Sequence, residues 1–199
     1  MTRQNKVSGV VLSGGMARRM QQQDKGLLPF KNRPLISYPL AAMAPLVDEL
    51  WISANRNQLQ YRQFGYPVIG DLGQTFDGPL AGILAAMRVA IHPILLIAPC
   101  DSPLIDTTHL QRLLSALDEP AIDIACAFDG ERLHPVFAAL RTDLQSDLQA
   151  YLQGGERKLQ AWFRQHRLAT VDFSDRLKLF ANINTPEELA ELEQGYPNS

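Results

Sequence analysis

Residues 94–98 read Ile-Leu-Leu-Ile-Ala, the most apolar run in the chain, entered through Pro93 and left through Pro99-Cys100-Asp101-Ser102-Pro103. A strand with one wet face alternates apolar and polar side chains. A run without alternation belongs in the middle of a sheet covered on both faces. The surrounding sequence supplies what that requires. Residues 7–12, 50–54 and 68–70 are further short apolar runs, separated by helical patterns at 35–46, 58–64 and 83–90. Leu110, Leu113, Leu114 and Leu117 then recur at helical spacing behind Asp106 or Thr107, either of which can cap a helix. Strand and helix alternate four times up to about residue 118. The expected fold class is therefore α/β, with three α/β/α layers around a mostly parallel central sheet.

The boundaries carry finer expectations. Pro34 suits the first turn of a helix, and Pro39 should disturb that helix in its middle. The last third is less regular. Residues 121–128 and 133–140, joined at Asp129-Gly130, predict an antiparallel pair, a smaller addition to the parallel sheet. Helices are expected at 142–152, closed by Gly154-Gly155, and at 158–165, with a late strand at 169–173. Thr185 and Glu188 form a capping box with Pro186 at the first helical position, opening a last helix that stops at Gly195. No linker, repeat or low-complexity segment divides the chain, so 1–199 is read as one domain.

Polar residues gather where the apolar runs end: Ser13-Gly14-Gly15, residues 53–56, Asp71 and Asp101. In parallel sheets, ligands bind outside the carboxyl ends of the strands. Adjacent glycines let backbone N–H groups come close to a ligand and form a concave anion site. Arg18, Arg19 and Lys25 add fixed positive charge suited to a polyphosphate, although a merely solvated basic loop has the same composition. The loop matches neither the Walker pattern nor the GxGxxG dinucleotide fingerprint. Asp101 follows the most buried strand. Mg²⁺ takes one or two carboxylates together with substrate phosphates, which Asp101 could satisfy, or Asp101 could simply be a turn residue beside Ser102. Asp71 is open to the same two readings. Asn182 and Asn184 either contact a ligand or fix the turn before the last helix. His134 is read as a half-buried structural histidine with contact to a second substrate as the alternative, and His92, His109 and His166 as structural or surface. No Ser-His-Asp order or nucleophile elbow occurs. Nucleotidyl transfer needs none, only alignment and neutralisation of charge on phosphate oxygens. Arg19, Lys25 and Asp101 are the catalytic candidates.

Bulk properties narrow the partners. A formal net charge of −2 gives no basic surface for nucleic acid. The two cysteines, Cys100 and Cys126, have no CxxC spacing and are expected as buried thiols in a reducing compartment. The first residues lack a signal-peptide core, and no run approaches the ~20 apolar residues that span a bilayer. A cytoplasmic protein without membrane contact is expected.

Leu12-Ser13-Gly14-Gly15-Met16-Ala17-Arg18-Arg19-Met20, followed by Asp24-Lys25-Gly26, resembles the signature of nucleotidyltransferases of the Leu-Ala-Gly-Gly-x-Ser-x-Arg-Met type. With Asn55-Arg56, Gly78-Pro79-Leu80-Ala81-Gly82, Pro99-Cys100-Asp101-Ser102-Pro103 and Asn182-Ile183-Asn184-Thr185-Pro186-Glu187-Glu188, the chain resembles the molybdenum cofactor guanylyltransferases from about residue 7 to 193. The resemblance implies a Rossmann-like nucleotide-diphospho-sugar transferase fold and transfer of GMP from GTP to molybdopterin with Mg²⁺. It implies a GTP-binding half at about 7–118 and an acceptor half at about 119–195. Leu12, Ser13, Gly14 and Gly15 would hold GTP through backbone groups, Arg19 and Lys25 would neutralise phosphates, Asp71 would assist GTP binding and Asp101 would bind Mg²⁺. Gly78, Gly82, Asn182 and Asn184 match positions near the pterin side or the cleft. Docking to molybdenum-cofactor synthesis or acceptor proteins is also implied. Three places depart from the pattern. Ser13 replaces alanine, Gln21-Gln22 replaces a glycine, and Ser53 stands where asparagine is usual, with Asn55 as a substitute for its GTP contact. From spacing alone, CTP or a sugar-phosphate acceptor, or a non-catalytic nucleotide carrier, stays open.

Overall fold

A computed structural model describes residues 6–13, 24–71, 78–180, 183 and 186–195. The strands are β1 (Val7–Leu12), β2 (Pro29–Phe30), β3 (Arg33–Pro34), β4 (Glu49–Ser53), β5 (Val68–Ile69), β6 (Ile94–Pro99), β7 (Ile124–Phe128), β8 (Leu133–Arg141) and β9 (Leu168–Asp172). The helices are α1 (Ser37–Met43), α2 (Gln58–Arg62), α3 (Pro79–Val89), α4 (Thr107–Ala116), α5 (Gln145–Gln153), α6 (Leu159–Phe163) and α7 (Pro186–Gln194).

Seven strands form one sheet in the order β5-β4-β1-β6-β8-β7-β9. β5, β4, β1 and β6 run parallel. β8 is antiparallel to β6 and β7, and β7 is parallel to β9. The expected pair β7–β8 is therefore present, but it is woven into the main sheet by a single reversed strand. The other antiparallel piece is the β2–β3 hairpin.

β6 explains the three layers. From Ile94 to Ala98 its side chains are fully or almost fully buried and divide by parity between two cores. Ile94, Leu96 and Ala98 meet the core built with Leu40 and Met43 of α1, Tyr61 of α2 and Leu110, Leu113 and Leu114 of α4. Leu95 and Ile97 meet the core of α3, α5 and α6. In α3 the buried Leu80, Ile83, Leu84 and Met87 make one helical stripe toward the sheet. Trp162 of α6 is fully buried, and its indole N–H donates to Asp147 Oδ1 of α5 at 2.7 Å. Truncating such a side chain to alanine costs about 3–5 kcal/mol.

Two proline expectations are corrected. Pro34 does not open a helix; it lies in β3, opposite Pro29. α1 begins at Ser37, so Pro39 falls in the first turn, where a backbone N–H has no helical partner to lose. The hairpin turns at Lys31 and Asn32, both at positive φ (46° and 63°), the geometry of a tight two-residue turn. A third apolar cluster joins this hairpin to the C-terminal part of the chain. Leu28, Phe30, Leu35 and Ile183 are buried there against Tyr38, Leu189 and Leu192. The Lys31 N–H donates to Glu193 Oε1 at 2.7 Å. α7 starts at Pro186 as expected, while Thr185 of the proposed capping box lies outside the described residues.

Candidate functional site

Register brings the polar strand ends level. Ile69, Ser53, Leu12 and Pro99 lie side by side across β5, β4, β1 and β6. The ladder continues beyond the last paired residues: Ala54 N–H donates to Ile69 O (2.8 Å), Ser13 N–H to Ser53 O (2.8 Å) and Cys100 N–H to Leu12 O (3.0 Å). Asp71, Asn55, Ser13 and Asp101 therefore succeed one another along a single carboxyl edge. The Ser13 N–H and one lone pair of the Leu12 carbonyl are engaged within the protein.

Asp101 meets Lys25 at 3.3 Å between Oδ2 and Nζ, both side chains partly exposed. Lys25 opens a 3-10 turn, Lys25–Leu27. Its approach to Asp101 depends on Gly26. A Cβ there would lie 2.9 Å from the Tyr61 hydroxyl and 3.1 Å from Cys100 Cβ, closer than a methyl group tolerates. Burial, reinforced by the negative charge of Asp101, pushes the Cys100 thiol far above its ordinary pKa, and burial does the same to the Tyr61 phenol. Both stay neutral, and among the described residues Asp101 bonds Lys25 while Asp24, next to it in the chain, pairs with Arg56. Asp24 is only 4% exposed. Its Oδ1 accepts from Arg56 Nη2 at 2.7 Å and its Oδ2 from Asn57 Nδ2 at 2.8 Å.

Across the edge, Asn55 holds Asp71 twice. Asn55 Nδ2 donates to Asp71 Oδ2 at 2.6 Å, and the Asp71 N–H donates to Asn55 Oδ1 at 2.7 Å. Ser53 is buried and faces α3 instead; its Oγ lies 2.7 Å from where a Cβ on Gly82 would stand, and Leu12 Cδ2 lies 3.2 Å from the same point. Gly82 thus touches the ends of β1 and β4, and Gly78 is the residue from which α3 departs. Leu12, Ser13, Lys25, Ser53, Asp71, Gly82 and Asp101 come together at this edge. Gly14, Gly15, Arg19, the Gln21-Gln22 segment, Asn182 and Asn184 lie outside the described residues.

The carboxyl ends of β7 and β9 reach the same edge, because Phe128 pairs with both Asp172 and Leu133. His134 at the start of β8 bonds Asp129 through Nε2 at 2.6 Å and stacks on Phe180, with ring centroids 3.7 Å apart. The Arg132 N–H, then the His134 ring and the Glu131 N–H, hold the Asp129 carboxyl well below the usual carboxylate range. This is the setting of a structural histidine. His109 is likewise structural: its backbone N–H donates to Asp106 and its ring accepts the Asp106 N–H, completing the cap of α4.

The family profile of the MobA-like NTP transferase domain matches residues 9–171. The molybdenum cofactor guanylyltransferase of Shewanella sediminis (strain HAW-EB3) is 42% identical over 188 residues, covering 94% of this chain and 96% of the relative. That of Shewanella frigidimarina (strain NCIMB 400) is 42% identical over 186 residues, covering 94% and 95%. The chain belongs to the molybdenum cofactor guanylyltransferase family.

The fold agrees with that membership. The crystal structure of molybdopterin-guanine dinucleotide biosynthesis protein A from Archaeoglobus fulgidus superposes with a TM-score of 0.77 at 23% identity, covering 94% of this chain and 97% of that one. In this guanylyltransferase family member, no group of three or more His, Cys, Asp or Glu side chains forms a metal cage among the described residues. One carboxylate on an open edge fits an ion that draws most of its ligands from substrate oxygens and water, as Mg²⁺ does. Among the described residues no helix is long and apolar enough to cross a membrane. In the sequence, Asp24 and Arg56 stand out only as parts of matching stretches, and no role attaches to either. Their pairing over 32 positions leaves no periodic signal, although an aspartate before the lysine and an arginine flanked by asparagines are a visible hint.

Proposed function

We propose that this chain transfers GMP from GTP to the terminal phosphate of molybdopterin, forming molybdopterin guanine dinucleotide and releasing pyrophosphate. The observation that carries the reading is 42% identity, along 94% of the chain, to molybdenum cofactor guanylyltransferases. In the proposed reaction an oxygen of the pterin phosphate attacks the α-phosphorus of GTP. The bond from that phosphorus to the oxygen bridging to the β-phosphate breaks, and the electron pair leaves with pyrophosphate. Two anions have to meet, and each pair of unit charges at ~4 Å opposes this by about 1 kcal/mol in water and more in a drier site.

The proposed roles answer that requirement. Lys25 and Arg19 neutralise phosphate oxygens. Asp101 holds Mg²⁺, which when bound supplies further positive charge to the same oxygens. Asp71, oriented by Asn55, receives the nucleoside part, and the backbone of residues 12–15 holds GTP. Gly82 keeps α3 close to the cleft. Residues 7–118 take GTP, and residues 119–195, with Asn182 and Asn184, take the pterin. The 3.3 Å approach of Lys25 to Asp101 at the carboxyl edge supports the pairing of a phosphate-binding cation with a metal-binding carboxylate. Two buried free thiols support a cytoplasmic setting. Delivery of the product to molybdenum-cofactor acceptor proteins completes the proposal. The test is pyrophosphate release with GTP, CTP, ATP and UTP in turn, with and without molybdopterin. Release with GTP plus the pterin alone is expected; release with another nucleotide, or with none, overturns the reading.

A further inference from the structure

From the hydrogen bonds along this edge we infer that the turn Asn55-Arg56-Asn57 is the positioning element of the nucleotide site, setting Asp71 through one residue and Lys25 through the next two. The turn leaves β4 at the carboxyl edge and enters α2. It is pinned at its base, where Gln58 Nε2 donates to Ala54 O at 2.9 Å, and Asn57 adopts a left-handed conformation with φ 48°. Asparagine is among the few residues that take this conformation readily. The three side chains then diverge. Asn55 reaches along the edge and grips Asp71 by two bonds. Arg56 and Asn57 reach the other way, and each takes one oxygen of the buried Asp24 carboxylate.

Asp24 anchors the segment that carries Lys25. Its carbonyl accepts the Leu27 N–H at 3.0 Å, the Lys25 carbonyl accepts the Leu28 N–H at 3.1 Å, and the Gly26 carbonyl accepts the Ile36 N–H at 3.0 Å. A carboxylate this buried holds its place only while its charge is met. With it held, the 3-10 turn has a fixed start and Lys25 projects toward Asp101. One three-residue turn thus couples the two walls of the cleft, and its parts act on different kinetic constants. Loss of Asn55 disorients Asp71 and weakens nucleotide binding; loss of Arg56 or Asn57 displaces Lys25 and slows the chemical step.

The rate readout of this inference rests on the guanylyl-transfer reading; its exchange readout does not. Hydrogen exchange is measured on the wild type, Arg56→Met, Asn57→Gly (which keeps the left-handed backbone and removes the amide), Asn55→Leu and the double variant Asp24→Asn/Arg56→Met. Arg56→Met and Asn57→Gly are expected to lower protection of the Leu27 and Leu28 amides about ten-fold or more, with the amides of β6 unchanged. In guanylyl transfer both are expected to lose about ten- to hundred-fold in kcat with little change in KM for GTP, whereas Asn55→Leu raises KM with a smaller loss of kcat. The double variant removes the uncompensated buried charge and is expected to regain thermal stability but not kcat. Unchanged Leu27 and Leu28 protection in the single variants overturns the inference, whether or not the wild type is active. So does recovery of kcat in the double variant, which would make Arg56 a neutraliser of Asp24 only. Absence of wild-type turnover with normal exchange effects would instead sink the substrate reading alone.

Discussion

Replacing Gly82 by alanine tests whether this position is reserved for close packing. Gly82 lies in α3, and an alanine in a helix interior is favoured over glycine by about 0.8–1 kcal/mol. Against this stands the contact. The new Cβ would lie 2.7 Å from Ser53 Oγ and 3.2 Å from Leu12 Cδ2. Ser53 is 3% exposed, so its hydroxyl has little room to turn away, and Leu12 is held by β4 on one side and β6 on the other. Overpacking of this kind costs about 1–3 kcal/mol. The expected balance is a destabilisation of about 1 kcal/mol, which in a chain of this size lowers Tm by about 2–4 °C. The assay is thermal and urea unfolding of Gly82→Ala, Ser53→Ala and the pair. In the double variant the 2.7 Å contact is gone and the next serine atom, Cβ, sits at an ordinary 3.6 Å. The pair should therefore be more stable than the sum of the single variants by about 1 kcal/mol. If Gly82→Ala alone raises Tm by the full helix preference, the contact argument fails.

Other outcomes are expected at and away from the edge. Asp101→Ala should remain folded and lose Mg²⁺-dependent pyrophosphate release, and near-normal turnover in the folded variant would remove its metal role. Lys25→Ala should lower turnover about a hundred-fold, the scale of losing one charge-stabilising donor. Neither thiol should react with an aromatic disulfide reagent in the native protein, because both are buried and burial pushes Cys126 up to about 12 and Cys100 higher still; labelling before unfolding would contradict the packing around β6 and β7. Chiefly the Arg167 guanidinium, which donates to both oxygens, holds the Asp123 carboxyl down at about 2. A depressed carboxylate stabilises above its unfolded pKa of about 3.9 and loses that stabilisation as pH falls toward its folded value. Asp123→Asn should flatten the stability profile between about pH 4 and pH 2, measured by urea unfolding.

Much of the frame is legible in the sequence because it rests on local pattern. The unbroken run at 94–98 announces a doubly covered strand, and the recurrence of strand and helix places Asp71 and Asp101 at the same sheet edge. The features that stay hidden depend on pairing at a distance. Nothing around Leu133 says that β8 inserts between β6 and β7; that depends on which edges need a partner. Pro34 and Pro39 mislead because proline is tolerated both in a short hairpin strand and in a first helical turn, and only the hairpin's position decides between them. Ser53 sits at the edge with the other candidates, but the burial of its hydroxyl against Gly82 of α3 depends on how that helix packs and shows only in the fold. Asp24 carries no period at all; its meaning comes from Arg56 and Asn57.

The third apolar cluster adds a matter of timing. The hairpin face of Leu28, Phe30 and Leu35 is completed by Ile183, Leu189 and Leu192, and the bond that ties the two segments spans 162 positions. At synthesis rates of about 5–20 residues per second, the hairpin leaves the ribosome about 8–30 seconds before its cover exists. Throughout that interval the segment that delivers Lys25 is bordered by uncovered apolar surface. The nascent chain should therefore be open to chaperones and proteases at this edge until its last helix arrives.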